Sequence, residues 1–535
     1  MDGGVRMAHG STVPGESGYE RDRLRTRLVV IGGGPSGVSV LTHLAEQLAA
    51  TQQGRTTAVE VTLVDRMGET GGGDGFGIGI PQALLLNDSV ATTDATGIGF
   101  TAWLHEHHTR WVGRLADDAD PRVRTWFAEH RMDLDLGRFG HLFLPRRVFG
   151  DFMRHRFERT ARRLAACGVV VHVVKGEARS VLPTAGNSFR VAVSGIAEPL
   201  TADFIVLAPG CLDTAAPPGM SAHPGYYTHG RACGQPDSDA AMARLLAGRP
   251  VGCRRVVVLG SAAAASEVIA VVAASPAVAQ VLDEVMVVST SGRLPDGQPT
   301  GPDAPFTCRS LVRLRCDGAG ELTSARLVGA LRADVERSRT QEYAIVDVER
   351  AVAAEFTASF RLLTPAQKRR FVDVDYADYQ RLMRHTSPPY ASAAARLAAS
   401  GRLRLVCARV AGIDPAPAGE LAVRLSDGAR LTATAVFDCR GFVGVGQTIN
   451  PLVRDMVASG LARPNHSRRG LVVDEHLQAA PGLFVMGPLL AGTSQGDDHI
   501  WSLKNVARIH VLAARVAARL FDLITQDTVG IGERQ

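Results

Sequence analysis

The feature that most constrains the fold is a short apolar run followed at once by three regularly spaced glycines. Residues 27–31 (RLVVI) are mostly apolar and β-branched, which indicates a buried strand. Gly32, Gly34 and Gly37 follow with the spacing G-x-G-x-x-G, and residues 38–50 are typical of a helix. In such a unit the first glycine permits a tight turn, the second lets the backbone approach a pyrophosphate, and the third lets the helix pack on the strand.

Two neighbouring features favour a dinucleotide at this turn. The helix N-terminus, where Pro35 and Ser36 lie, directs free N–H groups and the positive end of its dipole at a pyrophosphate. The next strand, residues 59–65 (VEVTLVD), ends in Asp65, and an acid at that position is typical of a ribose contact. We therefore predict a dinucleotide site that includes these residues and Arg66. The alternative is a glycine-rich turn that binds nothing.

A glycine-rich segment follows the acidic strand end. Residues 68–79 contain seven glycines in twelve positions, so their backbone can lie flat against a ligand but cannot form a stable helix. The position directly after Asp65 favours a loop that lines a cofactor. A surface loop without that role is the alternative.

A second strand–glycine–helix unit spans residues 255–274. Its first glycine is Gly260, but alanines stand at 262 and 265 in place of the second and third glycines. The following strand, residues 284–289, leads into hydroxyl side chains and an arginine rather than an acid. Hydroxyls and an arginine suit a 2′-phosphate, so the sequence favours NADPH over NADH. The predicted NADPH contacts are Gly260, Ser261, Ser291 and Arg293.

Composition excludes several classes of function. The chain has 535 residues, enough for two or three domains, and its net charge of +5 is mild for that length. No basic run with interleaved aromatic residues occurs, so we expect no nucleic-acid partner. The eight cysteines form no C-x-x-C pair, which argues against a disulfide framework, a zinc site or a dithiol centre, and we predict no metal site.

The sequence also bears on location. Residues 1–25 are polar and glycine-rich without an apolar signal core, so we expect a disordered tail rather than a targeting peptide. No apolar run approaches the roughly 18 residues that a membrane-spanning helix needs. We therefore expect a cytoplasmic protein without a membrane partner, and the oligomeric state stays open.

In their order, these pieces resemble flavoproteins that have two dinucleotide-binding units. In that group an FAD domain opens the chain, an NADPH domain is inserted, and the chain returns to complete the FAD site. The resemblance implies an α/β fold with two Rossmann-like domains and a helical insertion. The implied limits are 26–225 and 441–525 for the discontinuous FAD domain, 226–440 for the NAD(P) domain, and 296–400 for the insertion within it.

Three segments resemble more closely a bacterial FAD/NAD(P)-binding family that includes amine N-hydroxylating flavin monooxygenases. They are residues 84–87 (LLLN), 144–150 (LPRRVFG) and 487–493 (GPLLAGT), and residues 367–388 resemble that family's helical insert. The resemblance implies that NADPH reduces FAD and that reduced flavin captures O2 as a C4a-hydroperoxide. This species then N-hydroxylates a small amine or amino acid in natural-product biosynthesis. One branch oxidises aspartate, which makes aspartate a candidate substrate.

The motifs and the resemblance together give the expected FAD contacts. Either Arg146 or Arg147 would neutralise cofactor charge, although each could be a solvated arginine at a helix start. The expected contacts are Gly32, Gly34, Pro35, Ser36, Gly37, Asp65, Arg66, Asn87, Arg146, Arg147, Gly210, Gly487 and Pro488. Pro488 stands where the resembled group has an acid, and Asp497 is a candidate substitute.

No catalytic residue follows from the sequence, because the cofactor itself would carry the chemistry. Asn87 is a candidate contact to flavin or substrate, with a local turn cap as the alternative. Arg309 and Arg384 are candidates for binding a substrate carboxylate, although each could instead form a salt bridge. His385 and His499 are candidate proton carriers near neutral pH, with structural roles as the alternative.

Two other functions stay open at this point. A flavin-dependent NAD(P)H oxidoreductase or oxidase would use the same cofactors without hydroxylating an amine. An FAD-fold protein that only binds a partner would share the scaffold without the activity. The alanines at 262 and 265 also leave open whether the second unit still binds NADPH.

Overall fold

Two parallel β-sheets form the frame of the protein. The computed structural model describes residues 5–8, 25–51, 58–184, 186, 188–212, 216–217, 219–228, 236–297, 304–317, 322–495, 498–500 and 505–532. The strands are β1 (Val5–Ala8), β2 (Thr26–Ile31), β3 (Val59–Asp65), β4 (Val170–Lys175), β5 (Ala178–Pro183), β6 (Phe189–Val193), β7 (Leu200–Ala202), β8 (Phe204–Leu207), β9 (Tyr226–Tyr227), β10 (Arg255–Leu259), β11 (Glu284–Ser289), β12 (Asp296–Gly297), β13 (His385–Thr386), β14 (Leu403–Cys407), β15 (Val410–Ala416), β16 (Glu420–Leu425), β17 (Arg430–Ala433), β18 (Ala435–Asp438), β19 (Gln478–Ala480), β20 (Leu483–Val485), β21 (Thr493–Gln495) and β22 (Asp498–Ile500).

Helices cover both sheets and build a separate helical region. They are α1 (Pro35–Thr51), α2 (Gly73–Phe76), α3 (Val90–Thr93), α4 (Phe100–Glu106), α5 (His108–Ala116), α6 (Pro121–Asp135), α7 (Arg146–Ala166), α8 (Pro236–Ala247), α9 (Ala263–Ala274), α10 (Pro276–Ala279), α11 (Arg309–Cys316), α12 (Ser324–Thr340), α13 (Ile345–Arg361), α14 (Pro365–Arg370), α15 (Tyr376–Met383), α16 (Pro388–Ala399), α17 (Pro451–Ala458) and α18 (Val506–Gly532). One π-helical turn (Phe371–Asp375) joins α14 to α15.

The first sheet has seven strands in the order β1-β4-β3-β2-β8-β20-β19. Neighbouring strands are parallel except for the antiparallel pair of β19 and β20. Residues 28–31 of β2 are at most 4% exposed, as expected for a central strand covered on both faces. Helix α1 packs against α7 and α18 beside this sheet. Residues 1–25 are predicted to form a disordered tail. Within this segment, the described strand β1 instead pairs with β4 in parallel.

The second sheet has five parallel strands in the order β14-β11-β10-β18-β9. Its strands come from residues 226–438, whereas strands of the first sheet come from both sides of that range. The predicted α/β fold with two parallel, Rossmann-like sheets is therefore confirmed. The proposed domain limits stay predictions.

The predicted helical insertion is present between β12 and β14. Helices α11 to α15 enclose a core of their own, in which Phe356, Phe360 and Phe371 are at most 1% exposed. The ring centroids of Phe360 and Phe371 lie 5.2 Å apart in an edge-on arrangement. A separate core makes this region a distinct packing unit rather than a loop excursion.

The last helix begins later than its sequence pattern suggests. The apolar pattern from about residue 499 to 520 is typical of a helix, but Thr493 pairs with Ile500 in an antiparallel hairpin and α18 begins at Val506. The Asn505 Oδ1 atom accepts the Arg508 N–H at 3.1 Å, which caps the first turn of the helix. Because residues 493–500 form the hairpin and Asn505 caps the first turn, the helix begins only after residue 505.

Candidate functional site

A cavity of about 400 Å³ lies at the carboxyl edge of the first sheet. The chain reaches it where β2, β3 and β8 end, because parallel strands present their carboxyl ends at one edge. Of the expected FAD contacts, the residues that line this cavity are Gly32, Gly34, Pro35, Ser36, Asp65, Arg66, Asn87, Arg146, Gly210 and Pro488. The sequence thus indicated residues that the fold brings to one cavity.

Two glycines of the motif are required by the protein backbone itself. Gly32 has a φ of +112°, and a Cβ there would lie 2.0 Å from the carbonyl oxygen of Ala208 on the neighbouring strand. A Cβ on Gly37 would lie 2.2 Å from the Gly32 carbonyl oxygen. Both glycines therefore permit close packing of turn, strand and helix, and Gly37 does not line the cavity.

Gly34 differs from these two because space surrounds it. A Cβ there would meet only Gly73, with 3.6 Å to its Cα atom. Gly34 lines the cavity together with Pro35 and Ser36 at the start of α1. The protein alone would tolerate a methyl group at this position, so the missing side chain leaves room for a ligand at the helix N-terminus.

Asp65 ties the glycine turn to the loop after β3. Its Oδ2 atom accepts the Gly33 N–H at 3.0 Å, and its Oδ1 atom accepts the N–H groups of Met67 at 2.9 Å and Glu69 at 3.3 Å. The carboxylate is half-exposed and lines the cavity. It therefore orders the turn as well as facing the position expected for a ribose.

Arg66 also lines the cavity, and its charge is matched by a neighbour. Its Nη2 atom lies 3.2 Å from both carboxylate oxygens of Asp74. Both side chains are about half exposed, at 51% and 46%. This exposed pair is a weak interaction that a ligand could rearrange.

Arg146 also lines this cavity and is held by two hydrogen-bond partners. Its Nε atom donates to the Leu85 carbonyl oxygen at 2.9 Å, and its Nη2 atom donates to the Glu267 carboxylate. Both ends of this ion pair are largely buried, at 12% and 7% exposure. Arg147, the next residue, does not line the cavity. The structure thus distinguishes the two arginines between which the sequence could not choose.

A carboxyl group of unusual environment lies beside Arg146. Asp88 lines the cavity, and burial raises the pKa of its carboxyl while the Arg146 guanidinium acts in the opposite direction. On α13 of the insertion, burial and then Asp88 raise the pKa of Glu349 to about 8. The insertion therefore brings a second carboxyl into electrostatic contact with the cavity wall.

Two predicted FAD contacts follow strands β8 and β20. Gly210 has a φ of +81° and lines the cavity, and Pro488 lines it from the short 3-10 turn that follows the neighbouring strand β20. Gly487 does not line it, but its φ is +72° and a Cβ there would lie 3.0 Å from the Ser36 Oγ atom. Gly487 thus permits the close approach of this loop to the start of α1. Asp497, the suggested substitute for an acid here, lies outside the described residues.

The second glycine turn repeats the geometry of the first. Gly260 has a φ of +95°, and a Cβ there would lie 2.7 Å from the Cys439 carbonyl oxygen on the adjacent strand. Ala262 caps α9 in extended conformation and makes no side-chain cap hydrogen bond. The first glycine therefore has the same packing role in both turns, and the two units differ at the second and third positions, where alanines replace glycines.

The predicted NADPH contacts lie together at the carboxyl edge of the second sheet. The Ser291 Oγ atom lies 3.2 Å from the Ser261 Oγ atom and 3.3 Å from the Ser289 Oγ atom. Arg293 is exposed, and its side chain makes no ion pair within the described part of the chain. A hydroxyl cluster beside an available guanidinium suits a phosphate group.

The other candidates lie away from the first cavity. Arg309 is exposed, and Arg384 donates to the Gln380 Oε1 atom at 3.2 Å. Burial lowers the pKa of His385 to about 4, so its ring is neutral at pH 7 rather than poised to titrate there. The side chain of His499 lies outside what the structure describes.

Sequence inspection missed part of the cavity wall. Glu177 follows β4, Phe442 and Asn450 lie between β18 and α17, and Asn505 caps α18. These positions carry no motif, and only the strand order of the sheet brings them together. The turn residue Asn450, before Pro451, is the one local pattern that could have suggested a helix start.

Comparison with known proteins agrees with this geometry. Residues 29–212 match the family model described as FAD-NAD(P)-binding. This match confirms the predicted FAD- and NAD(P)-binding character of that part of the chain. An uncharacterized protein of Mycobacterium tuberculosis is 27% identical over 442 residues, which cover 79% of this chain and 81% of the relative. A protein of Mycobacterium bovis matches to the same extent.

Two solved structures share the fold over nearly the whole chain. L-lysine 6-monooxygenase from Pseudomonas syringae aligns with a TM-score of 0.51 and 15% identity, covering 93% of this chain and 99% of that one. The FAD-bound cadaverine monooxygenase of desferrioxamine biosynthesis from Erwinia amylovora aligns with a TM-score of 0.54 and 12% identity, covering 91% and 92%. At these identities the likeness is one of fold.

Neither a metal cluster nor a membrane-spanning helix accompanies the site among the described residues. Within the described ranges, no three His, Cys, Asp or Glu side chains come together as a metal site would require. Among the same residues, no helix has the length and apolar character to cross a membrane.

Proposed function

We propose that the protein is an FAD- and NADPH-dependent monooxygenase that N-hydroxylates a small amine or amino acid. The observation that carries this proposal is that the chain contains two dinucleotide-type turns. The Arg146–Glu267 ion pair joins the two units to which these turns belong. The fold neighbours described as lysine and cadaverine monooxygenases support the same reading. In this proposal residues 26–225 and 441–525 form the FAD domain and 226–440 the NADPH domain.

The residues of the first cavity fit FAD. Gly34 and the start of α1 would hold the pyrophosphate, because the backbone is open there and no side chain intervenes. Asp65 would face the adenosine ribose. Asn87, Asp88 and Arg146, which line another part of the same wall, would then face the flavin ring.

The second unit would hold NADPH. Ser261, Ser291 and Arg293 would contact the 2′-phosphate, and Gly260 would form the turn beneath the pyrophosphate. The methyl group of Ala262 stands where a glycine would let the phosphate approach closely, so we expect weaker binding than for FAD. NADPH would therefore exchange during turnover while FAD stays bound.

The overall reaction consumes one amine, O2, NADPH and one proton, and yields a hydroxylamine, NADP⁺ and water. When bound, the flavin supplies hydride transfer and oxygen activation. The protein then has to orient the amine, exclude water and remove a proton, because an ammonium nitrogen has no lone pair to react. Asp88 lines the cavity with a carboxyl of raised pKa, and we assign it to accept that proton.

Charge in the cavity favours a basic amine over aspartate. Its two arginines, Arg66 and Arg146, already lie against Asp74 and Glu267. Arg309 and Arg384, the other candidates for a substrate carboxylate, do not line it. A dicarboxylate such as aspartate would thus have to displace an existing ion pair, whereas a basic amine would not.

The test is substrate-dependent product formation by the FAD-loaded protein. NADPH oxidation, O2 uptake and hydrogen peroxide are measured with a panel of diamines, basic amino acids and aspartate, and products are identified by mass. The proposal expects one amine to raise O2 uptake and to yield a product heavier by one oxygen atom. If every amine leaves only peroxide, the protein is an NAD(P)H oxidase instead.

A further inference from the structure

A second cavity, of about 380 Å³, lies further along α1 and shares no lining residue with the first. Helices α1, α4, α7 and α18 surround it. Its volume is in the range of small-molecule sites. Its lining residues are Thr42, His43, Glu46, Gly97, Ile98, Gly99, Ala102, Trp103, Glu106, Phe152, His155, Arg156, Arg159, Thr160, Arg163 and His510.

One face of α7 supplies three arginines to this cavity. Arg156, Arg159 and Arg163 recur at intervals of three and four residues, so their side chains leave the helix on the same side. Arg156 is half-buried, whereas Arg159 and Arg163 are exposed at the rim. The cavity therefore has a positive wall that extends from its interior to solvent.

The guanidinium of Arg156 contacts neutral acceptors. It donates to the Ile98 carbonyl oxygen, lies 3.4 Å from the Thr42 Oγ1 atom, and lies 3.4 Å from the His510 Nδ1 atom. No carboxylate of the described residues forms an ion pair with it. Burial lowers the pKa of Arg156, and Glu46 and Asp94 oppose this shift without forming an ion pair with it. Charges that are partly withdrawn from water are usually paired directly with an opposite charge, and Arg156 has no such direct pair among the described residues.

The acidic residues near Arg156 interact with other groups. Glu46 lies 3.2 Å from the His43 Nδ1 atom and 3.8 Å from the Arg163 guanidinium. Asp94 accepts three backbone N–H groups at the start of α4, at 2.9 to 3.1 Å. Glu106 lines the rim and lies 3.9 Å from His107. Three lining arginines thus face two lining glutamates.

The rest of the wall is polarizable and apolar. His43 and His510 lie with their ring centroids 4.3 Å apart in a tilted arrangement, and their facing nitrogen atoms are 3.1 Å apart. Trp103 and Phe152 are at most 7% exposed and line the same cavity. This wall can pack against an aromatic or aliphatic group while the arginines hold a charge.

We propose that this second cavity binds a small organic anion, with its phosphate or carboxylate against Arg156 and Arg159 and its apolar part against Trp103 and Phe152. The inference does not depend on the proposed monooxygenase activity, because none of these residues belongs to the first cavity. Such a ligand would contact α1 and α18, which also supply residues to the wall of the first cavity.

The test measures binding by calorimetry on the full chain saturated with FAD, so that the pyrophosphate site is filled. The probes are phenyl phosphate, benzoate and the uncharged benzamide. We expect at least one anion to bind and benzamide to bind at least about tenfold more weakly, since a charge-assisted hydrogen bond is lost. Preference between the two anions identifies the charged group.

Variants assign the binding to this cavity. Arg159→Gln, at an exposed position, should weaken the anion about tenfold or more without unfolding the protein, and Arg156→Lys should retain most of the affinity. Arg162→Gln is the matched control, because Arg162 is exposed on the same helix and does not line the cavity. Absent anion binding, equal binding of benzamide, or an Arg159→Gln affinity equal to that of the Arg162→Gln control would overturn the proposal.

Discussion

Arg146 and Glu267 join the two dinucleotide-type units through a largely buried ion pair. Arg146 stands at the start of α7 in the wall of the cofactor cavity, and Glu267 belongs to α9, the helix that follows the second glycine turn. The pair therefore fixes the position of α7, in the wall of the first cavity, relative to α9, which follows the second glycine turn. Transfer of hydride between two cofactors requires such a fixed arrangement.

Glu267→Gln should destabilise the protein strongly. The substitution leaves the Arg146 charge largely buried without its carboxylate, and breaking such a pair lowers the free energy of unfolding by about 3 kcal/mol or more. Urea unfolding monitored by circular dichroism would measure the change. Asp317→Asn is the control, because its ion pair with Arg313 is exposed and should contribute at most about 1 kcal/mol. Equal effects of the two variants would contradict the structural role of the buried pair.

Gly34→Ala should release FAD without unfolding the chain. A methyl group at Gly34 meets only Gly73 at an ordinary contact distance of 3.6 Å, but it points into the space proposed for the pyrophosphate. The ratio of flavin to protein absorbance after purification should fall at least about tenfold, with little change in the melting temperature of the apoprotein. Ala262→Gly, the corresponding change in the second turn, should leave flavin content unchanged. If Gly34→Ala retained its full flavin content, the pyrophosphate would not bind at this position.

Local sequence predicted the parts of the site that depend on local physics. The strand, turn and helix around Gly32 follow from hydrophobic pattern and backbone freedom, and the structure places Gly32 and Gly37 where a Cβ would overlap a carbonyl oxygen. Asp65 was identified in the same way, as the acid at the end of a strand. These residues lie within 34 positions of one another, so pattern alone connects them.

Long-range partners could not be predicted in this way. Glu267 lies 121 positions from Arg146, and Glu349 approaches Asp88 from an insertion with its own core. No local sequence pattern indicates either contact, because both depend on how two sheets and a helical region pack together. His385 was expected to titrate near neutral pH, but desolvation in that packed region lowers its pKa to about 4.

Arg293→Ala should weaken NADPH more than NADH. Arg293 is exposed beside the Ser261–Ser291 hydroxyl pair, and its guanidinium would contact the phosphate that NADH lacks. We expect the KM for NADPH to rise about tenfold or more, as for a lost charge-assisted hydrogen bond, while that for NADH changes little. Steady-state reduction of bound flavin with each nucleotide measures this. Arg313→Ala, at an exposed helix position, serves as the control. A parallel rise for both nucleotides would argue against a 2′-phosphate contact.

Glu349→Gln should change how stability depends on pH. The folded protein holds the Glu349 proton up to about pH 8, whereas the unfolded chain releases it near the ordinary value of 4.5. Unfolding therefore releases a proton between these values, and the free energy of unfolding falls as pH rises, by on the order of 1 kcal/mol per unit. Glutamine does not titrate, so the variant lacks this dependence. Its free energy of unfolding should therefore increase relative to that of the native protein between pH 5 and 8, and this difference should stay constant above pH 8.

Urea midpoints at pH 5, 6, 7, 8 and 9 measure this difference. Glu336→Gln is the matched control, since Glu336 is an exposed glutamate on the preceding helix. If Glu349→Gln and Glu336→Gln follow the same pH dependence as the native protein, Glu349 is ionised in the folded state. The insertion would then bring a negative charge, rather than a protonated carboxyl, to the cavity wall.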